Sequence, residues 1–101
     1  MDANAVTLTG TLAEVEPLRH TPAGLPLLHF TLLHRSSQVE AGHERQVECV
    51  VQCVALGAAA AAASDTRSGD RIEVNGFLNR RNRMSTQLVL HATGISASKE
   101  N

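Results

Sequence analysis

The stretch Gly69-Asp70-Arg71-Ile72-Glu73-Val74-Asn75-Gly76-Phe77-Leu78-Asn79-Arg80-Arg81-Asn82-Arg83-Met84-Ser85-Thr86-Gln87-Leu88-Val89-Leu90-His91 decides the fold. Ile72, Val74 and Leu78 alternate with Arg71, Glu73 and Asn75, the period-two pattern of a strand with one buried face. Leu88-Val89-Leu90 resumes the β pattern after a polar tip. The segment therefore predicts two strands joined by a turn that carries Arg80, Arg81 and Arg83. These guanidinium groups sit on an acidic body. Residues 1–78 hold five arginines and nine carboxylates, about −4 in formal charge, while residues 79–101 hold four basic groups and one acid, about +3. A flexible arginine-bearing hairpin on such a body suits a polyanion. A solvated turn is the competing reading, and the tip sequence alone does not choose between them.

Working outward, three more strand patterns precede this pair. Ala5 to Leu12 alternates Val6, Leu8, Gly10 and Leu12 with three threonines, and Gly10 is expected to mark a bend or bulge. Thr21-Pro22-Ala23-Gly24 is a turn set by proline and glycine. Leu27 to His34 follows as a strand apolar on both faces, with Leu28, Phe30 and Leu32 on one of them. Arg35 to Arg45 is polar, contains Ala41-Gly42, and reads as the loop of a long hairpin. Gln46 to Ala55 closes that hairpin, with Val47, Cys49, Val51 and Cys53 on one face. After Gly57 come six alanines, Ala58 to Ala63, either one or two helical turns over an end of the sheet or a flexible linker.

Three strands, a short helical connection and two more strands is the order of an OB-fold. That fold is a five-stranded Greek-key barrel, here all-β but for the helix between strands three and four. Gly10 and Gly76 suit strands that must curl to close, although other small β-barrels share the pattern. One domain is expected over residues 1–95, with 96–101 a flexible tail.

Composition narrows the function. A net charge of −1 excludes wrapping of nucleic acid by bulk charge, so anion binding has to be local. Phe30 and Phe77 are the only aromatics, so any stacking platform is thin. Phe77 shares parity with Arg71, Glu73 and Asn75: it is an exposed stacking ring, or a bulge reverses parity and buries it. Cys49 and Cys53 point to the same face roughly 13 Å apart, beyond disulfide reach, and read as small apolar core residues in a reducing cytoplasm. The start of the chain lacks a signal-peptide pattern, and Val54 to Ala63 is too short to span a bilayer, so the expected location is cytoplasmic, with no membrane partner.

The histidines are scattered without zinc-ligand spacing, and no nucleophile elbow or phosphate cradle is present. The expectation is a non-enzyme with no metal, cofactor or small-molecule substrate. In an OB-fold, Arg80, Arg81 and Arg83 would lie between strands four and five, Arg35 and Arg45 would flank the connection of strands two and three, and Arg19 would sit between strands one and two. Those loops border the face that receives oligonucleotides.

The chain also resembles the bacterial primosomal replication protein N (PriB) family over nearly its whole length. The likeness is carried by Leu8-Thr9-Gly10-Thr11, Thr21-Pro22-Ala23-Gly24-Leu25-Pro26, His34-Arg35-Ser36, Glu40-Ala41-Gly42 and Arg45-Gln46. It continues through Gly69-Asp70-Arg71-Ile72, Val74-Asn75-Gly76-Phe77 and Leu88-Val89-Leu90-His91-Ala92. The resemblance implies a homodimeric OB-fold that binds single-stranded DNA without sequence preference and bridges the PriA helicase to other primosome proteins in replication restart. The sequence departs from the family where aromatic rings are usual, holding His43, Glu44, Val47 and Glu48 there. The loop after strand four is shorter and uses arginine where lysine is common. Stacking is worth about 1–3 kcal/mol per base, so these departures weaken DNA contact. An adaptor that chiefly contacts a helicase is the alternative reading. The expected contacts are Arg80, Arg81, Arg83, Arg45, Arg35, Arg19 and Phe77, and the uncharged threonine face of the first strand is expected at the dimer seam.

Overall fold

A computed structural model describes residues 1–98 of the chain. Its elements are β1 (Val6–Val15), β2 (Arg19–His20), β3 (Pro26–Glu40), β4 (His43–Leu56), α1 (Ala58–Ala62), β5 (Arg71–Arg80) and β6 (Leu88–Ala97). β1 pairs antiparallel with both β3 and β5, β4 pairs antiparallel with β3 and parallel with β6, and β5 pairs with β6. Five strands thus close into a barrel, and the two-residue β2 adds only to the start of β3. This is the expected OB-fold.

Alternation builds the core. Leu12, Leu28, Phe30, Leu32, Cys53, Ile72, Val74 and Leu90 point inward and are all but fully buried. Burying such a side chain contributes about 1.5–3 kcal/mol. The alanine run is helical. A five-residue helix is too short to persist alone. Ala60 and Ala63 bury their methyls in the same core, and that contact holds it over the barrel end.

Several expectations are corrected. Arg35 to Arg45 is not a loop: β3 and β4 stay in register from Leu27↔Leu56 to Glu40↔His43, forming an exposed arm on a molecule 49 Å long. The reversal takes only Ala41 and Gly42, at φ of 52° and 80°, which suits a tight two-residue hairpin turn. Cys49 is not a core residue, because β4 still runs in the arm at that point; only Cys53 is buried. The strand bulge falls between Leu12 and Glu14 rather than at Gly10. β1 is flanked by β5 and, from Thr11, by β3, so it is not an edge strand along its full length. β6 pairs through Ala97, opposite Ile72, two residues into the expected tail; residues 99–101 lie outside the described residues.

Two glycines are required by close approach. A Cβ at Gly10 would lie 2.5 Å from the Leu33 carbonyl oxygen, and one at Gly76 would lie 1.8 Å from that of His91. His34 adds a polar tie in the same region. Its Nδ1–H donates to the Thr9 carbonyl at 2.7 Å, and its Nε2 accepts from the Ser36 hydroxyl at 2.8 Å.

Gly76→Ala should destabilise the fold by about 3 kcal/mol or more in urea unfolding, since two backbones must separate. Gly94→Ala, whose Cβ would meet only the Asn75 side chain at 3.8 Å, is the tolerated control. Equal stability of the two variants would contradict the close approach. Burial also pushes the Cys53 thiol up to about 12. A thiol reagent at about pH 8 should therefore titrate Cys49 alone in the native state and both cysteines after unfolding.

Candidate nucleic-acid interface

Outward-facing residues of four strands form one surface. Register places Phe77 beside His91, His91 beside Val54 and Val54 beside His29, a single row across β5, β6, β4 and β3. The register shift between Asn75 and Gly76 does not turn Phe77 inward. Phe77 stays 37% exposed, its ring stacked on His91 with centroids 5.0 Å apart and planes 6° from parallel. This resolves the two sequence readings in favour of an exposed ring, one already partnered on one side.

Next to this pair runs an open groove of about 1110 Å³. Its floor is largely apolar, with Leu27, Val50, Val54, Leu56 and Leu88 beside Gln52 and His29. Val50, Leu56 and Leu88 are 62%, 44% and 60% exposed, which is costly surface to leave in water without a ligand. Arg19 and Glu16 line the groove from the β1–β3 connection, and Arg81 lines it from the β5–β6 turn. Cations thus reach it from two different loops.

The six sequence-predicted arginines separate into three places. Arg19 and Arg81 border the groove, and Arg19 Nη2 also pairs with Glu16 Oε1 at 2.7 Å. Arg80 and Arg83 lie on the tip beyond it, where Arg80 Nη1 donates to the Arg83 carbonyl at 3.3 Å. The tip carries its own hydrogen bonds: Arg81 N–H to the Gln87 carbonyl at 2.9 Å and Met84 N–H to Asn82 Oδ1 at 3.0 Å. It is a built turn rather than a bare flexible loop. Arg35 and Arg45 lie on the arm, paired with Glu48 at 3.3 Å and Glu40 at 3.2 Å. These exposed pairs stabilise the fold little, yet each carboxylate cancels a charge that a phosphate would otherwise meet.

His29 and His91 were passed over in the sequence because scattered histidines carry no metal spacing. The missed signal was their outward parity on strands whose inward neighbours are apolar. Among the described residues no cluster of His, Cys, Asp or Glu is placed to hold a metal, and no helix is long and apolar enough to cross a membrane.

The barrel is shared with known proteins. A family model described as another single-strand binding protein family matches residues 4–94. The replication restart protein PriB of Bordetella pertussis is 43% identical over 88 residues, covering 87% of this chain and 82% of its own. This chain belongs to the PriB family. The solved structure of PriB from Ralstonia solanacearum superposes with a TM-score of 0.85 at 32% identity, covering 96% of this chain and all of that one. The single-stranded DNA binding protein from Thermus aquaticus gives a TM-score of 0.77 at 29% identity, covering 98% of this chain and 52% of its own. In this member of the PriB family, Arg81 of the tip borders the groove, while Arg35 and Arg45 on the arm are paired with carboxylates.

Glu40→Gln with Glu48→Gln removes both arm carboxylates that hold arginines. Retention on a heparin column should rise, with elution at higher salt than the parent, while thermal stability changes by less than about 1 kcal/mol. Unchanged elution would mean that Arg35 and Arg45 do not meet polyanions even when released.

Proposed function

We propose that this chain binds single-stranded DNA without sequence preference and acts as a non-enzymatic accessory protein in replication restart. The observation that carries this reading is the groove itself, apolar along its floor, with Arg19 at one loop and Arg81 at another. Bases take the floor and the exposed Phe77 edge, and guanidinium groups take phosphates. Arg80 and Arg83 extend the positive field beyond Arg81. Family membership and the names of the relatives support the same role. Bridging of the PriA helicase to other primosome proteins, in the cytoplasm, is part of the proposal.

A homodimer completes it. Val6 to Gly10 pair with β5 along one edge, and pairing with β3 begins only at Thr11. The second edge of that half-strand around the uncharged Thr7 is the proposed seam, since His34 already takes the Thr9 carbonyl. Sedimentation at tens of micromolar should give a species of twice the 10.8 kDa chain mass.

The second reading, a helicase adaptor with minor DNA contact, is favoured by the arm. Its arginines are paired and Glu44 is held by Ser37 at 2.7 Å, leaving little to attract phosphate. Salt dependence separates the two. Each phosphate neutralised on a single strand contributes about −0.7 to the slope of log K against log salt. Replacing Arg80, Arg81 and Arg83 by Ala should weaken binding to every oligonucleotide and flatten that slope by about 2, with the melting temperature nearly constant. If the triple variant binds as the parent does, with the same slope, the adaptor reading wins.

A further inference from the structure

Glu16 is the one carboxylate among the described residues that line the groove, and it comes from the same connection as Arg19. Its Oε1 accepts from Arg19 Nη2 at 2.7 Å. The main chain places this pair as much as charge does. Glu16 N–H donates to the His29 carbonyl at 3.0 Å, and Arg19 stands opposite Leu27 in the short β2–β3 ladder. Pro17 follows Glu16, and its ring fixes its own φ and restricts the residue before it. Both ends of this stiff span are therefore anchored to β3, and the carboxylate is held where the guanidinium meets it. We propose that Glu16 is a built-in competitor of the strand: it occupies Arg19 and leaves Arg81 as the groove guanidinium open to phosphate. This rests on the single-stranded DNA reading and assigns that site a residue that limits its affinity.

The competition is an exchange of partners. The Arg19 and Glu16 side chains keep 61% and 52% of their surface exposed, so water screens the pair and it opens at small cost. A phosphate that takes Arg19 leaves Glu16 in the same groove without its partner, and the two anions repel. While the pair stays closed, Arg19 neutralises no phosphate and releases no counterion from the strand. Either way affinity falls, and it falls equally for every sequence, because backbone charge carries no base information. The arm pairs differ in place, since none of Arg35, Glu48, Arg45 and Glu40 lines the groove.

The test measures the affinity of the full chain for an oligothymidylate across a series of salt concentrations. Glu16→Gln keeps the size of the side chain and removes its charge. It should bind about fivefold more tightly than the parent at low salt. Its slope of log K against log salt should steepen by about 0.7, the contribution of one further phosphate. Glu14→Gln makes the same change in net charge at an exposed β1 residue outside the groove, and should leave affinity and slope close to the parent's. Adding Arg19→Ala to Glu16→Gln should cancel both gains, because the rim is then neutral again. Melting temperatures should stay at the parent's value, since an exposed pair stabilises the fold little. A Glu16→Gln protein with parental affinity and slope overturns the proposal and leaves the DNA reading standing. An equal gain from Glu14→Gln overturns it too, by tracing the effect to overall charge, as does a gain that survives Arg19→Ala. Failure of the parent to bind any oligonucleotide overturns the functional reading and the proposal with it.

Discussion

The approach of Gly76 to the His91 carbonyl is the contact on which the binding face depends. With no Cβ at position 76, β5 and β6 come within a distance that any other residue would forbid. The ladder shifts by one residue at that point, between Asn75 and Gly76. After the shift Phe77 stands opposite His91 and Leu78 opposite Leu90. One glycine therefore sets which ring touches which. A slip of one residue would exchange faces and put Phe77 against the barrel core, which Leu90 and Val74 already fill. Barrel closure and the Phe77–His91 stack are two consequences of the same missing side chain.

Scarcity of aromatics shapes the rest. Phe30 is spent inside the barrel, 3% exposed, and Phe77 is the other ring. A surface that is to hold bases must then draw on side chains of lesser stacking strength. The groove answers with exposed Val50, Leu56 and Leu88 and with two imidazoles. Aliphatic floor gives non-directional burial without sequence preference, since every base has an apolar face. Under the proposed function, guanidinium groups at two loops fix the backbone rather than the bases.

The parts of this arrangement that were legible in the sequence are those with an apolar period. Val6, Leu8 and Leu12, then Leu28, Phe30 and Leu32, then Ile72 and Val74, each announced a strand and its buried face. The arm was not legible, because Gln38, Glu40, Glu44 and Gln46 leave no apolar period when neither face is buried. Its one local signal was Ala41-Gly42, a two-residue turn that fits a hairpin better than a loop. Arg35 and Arg45 looked like free cations for a related reason. Their carboxylate partners Glu48 and Glu40 are set by the β3–β4 register, and that register shows only once both strands are placed. Cys49 failed likewise: its parity was right, but parity does not say where a strand leaves the barrel.

Charge is thus divided between two regions of one small barrel. The arm carries Arg35 and Arg45 against Glu40, Glu44 and Glu48, so its guanidinium groups face carboxylates before they face anything else. A phosphate can displace an exposed carboxylate partner, because such pairs hold by little more than about 1 kcal/mol, yet the displaced carboxylate then sits beside the phosphate and repels it. Arg80, Arg81 and Arg83 have no carboxylate partner among the described ion pairs and meet phosphate without that exchange. In the proposed function a strand drawn by charge is therefore led to the β5–β6 tip and the groove it borders, while the arm, long, in register and close to neutral, offers phosphate less.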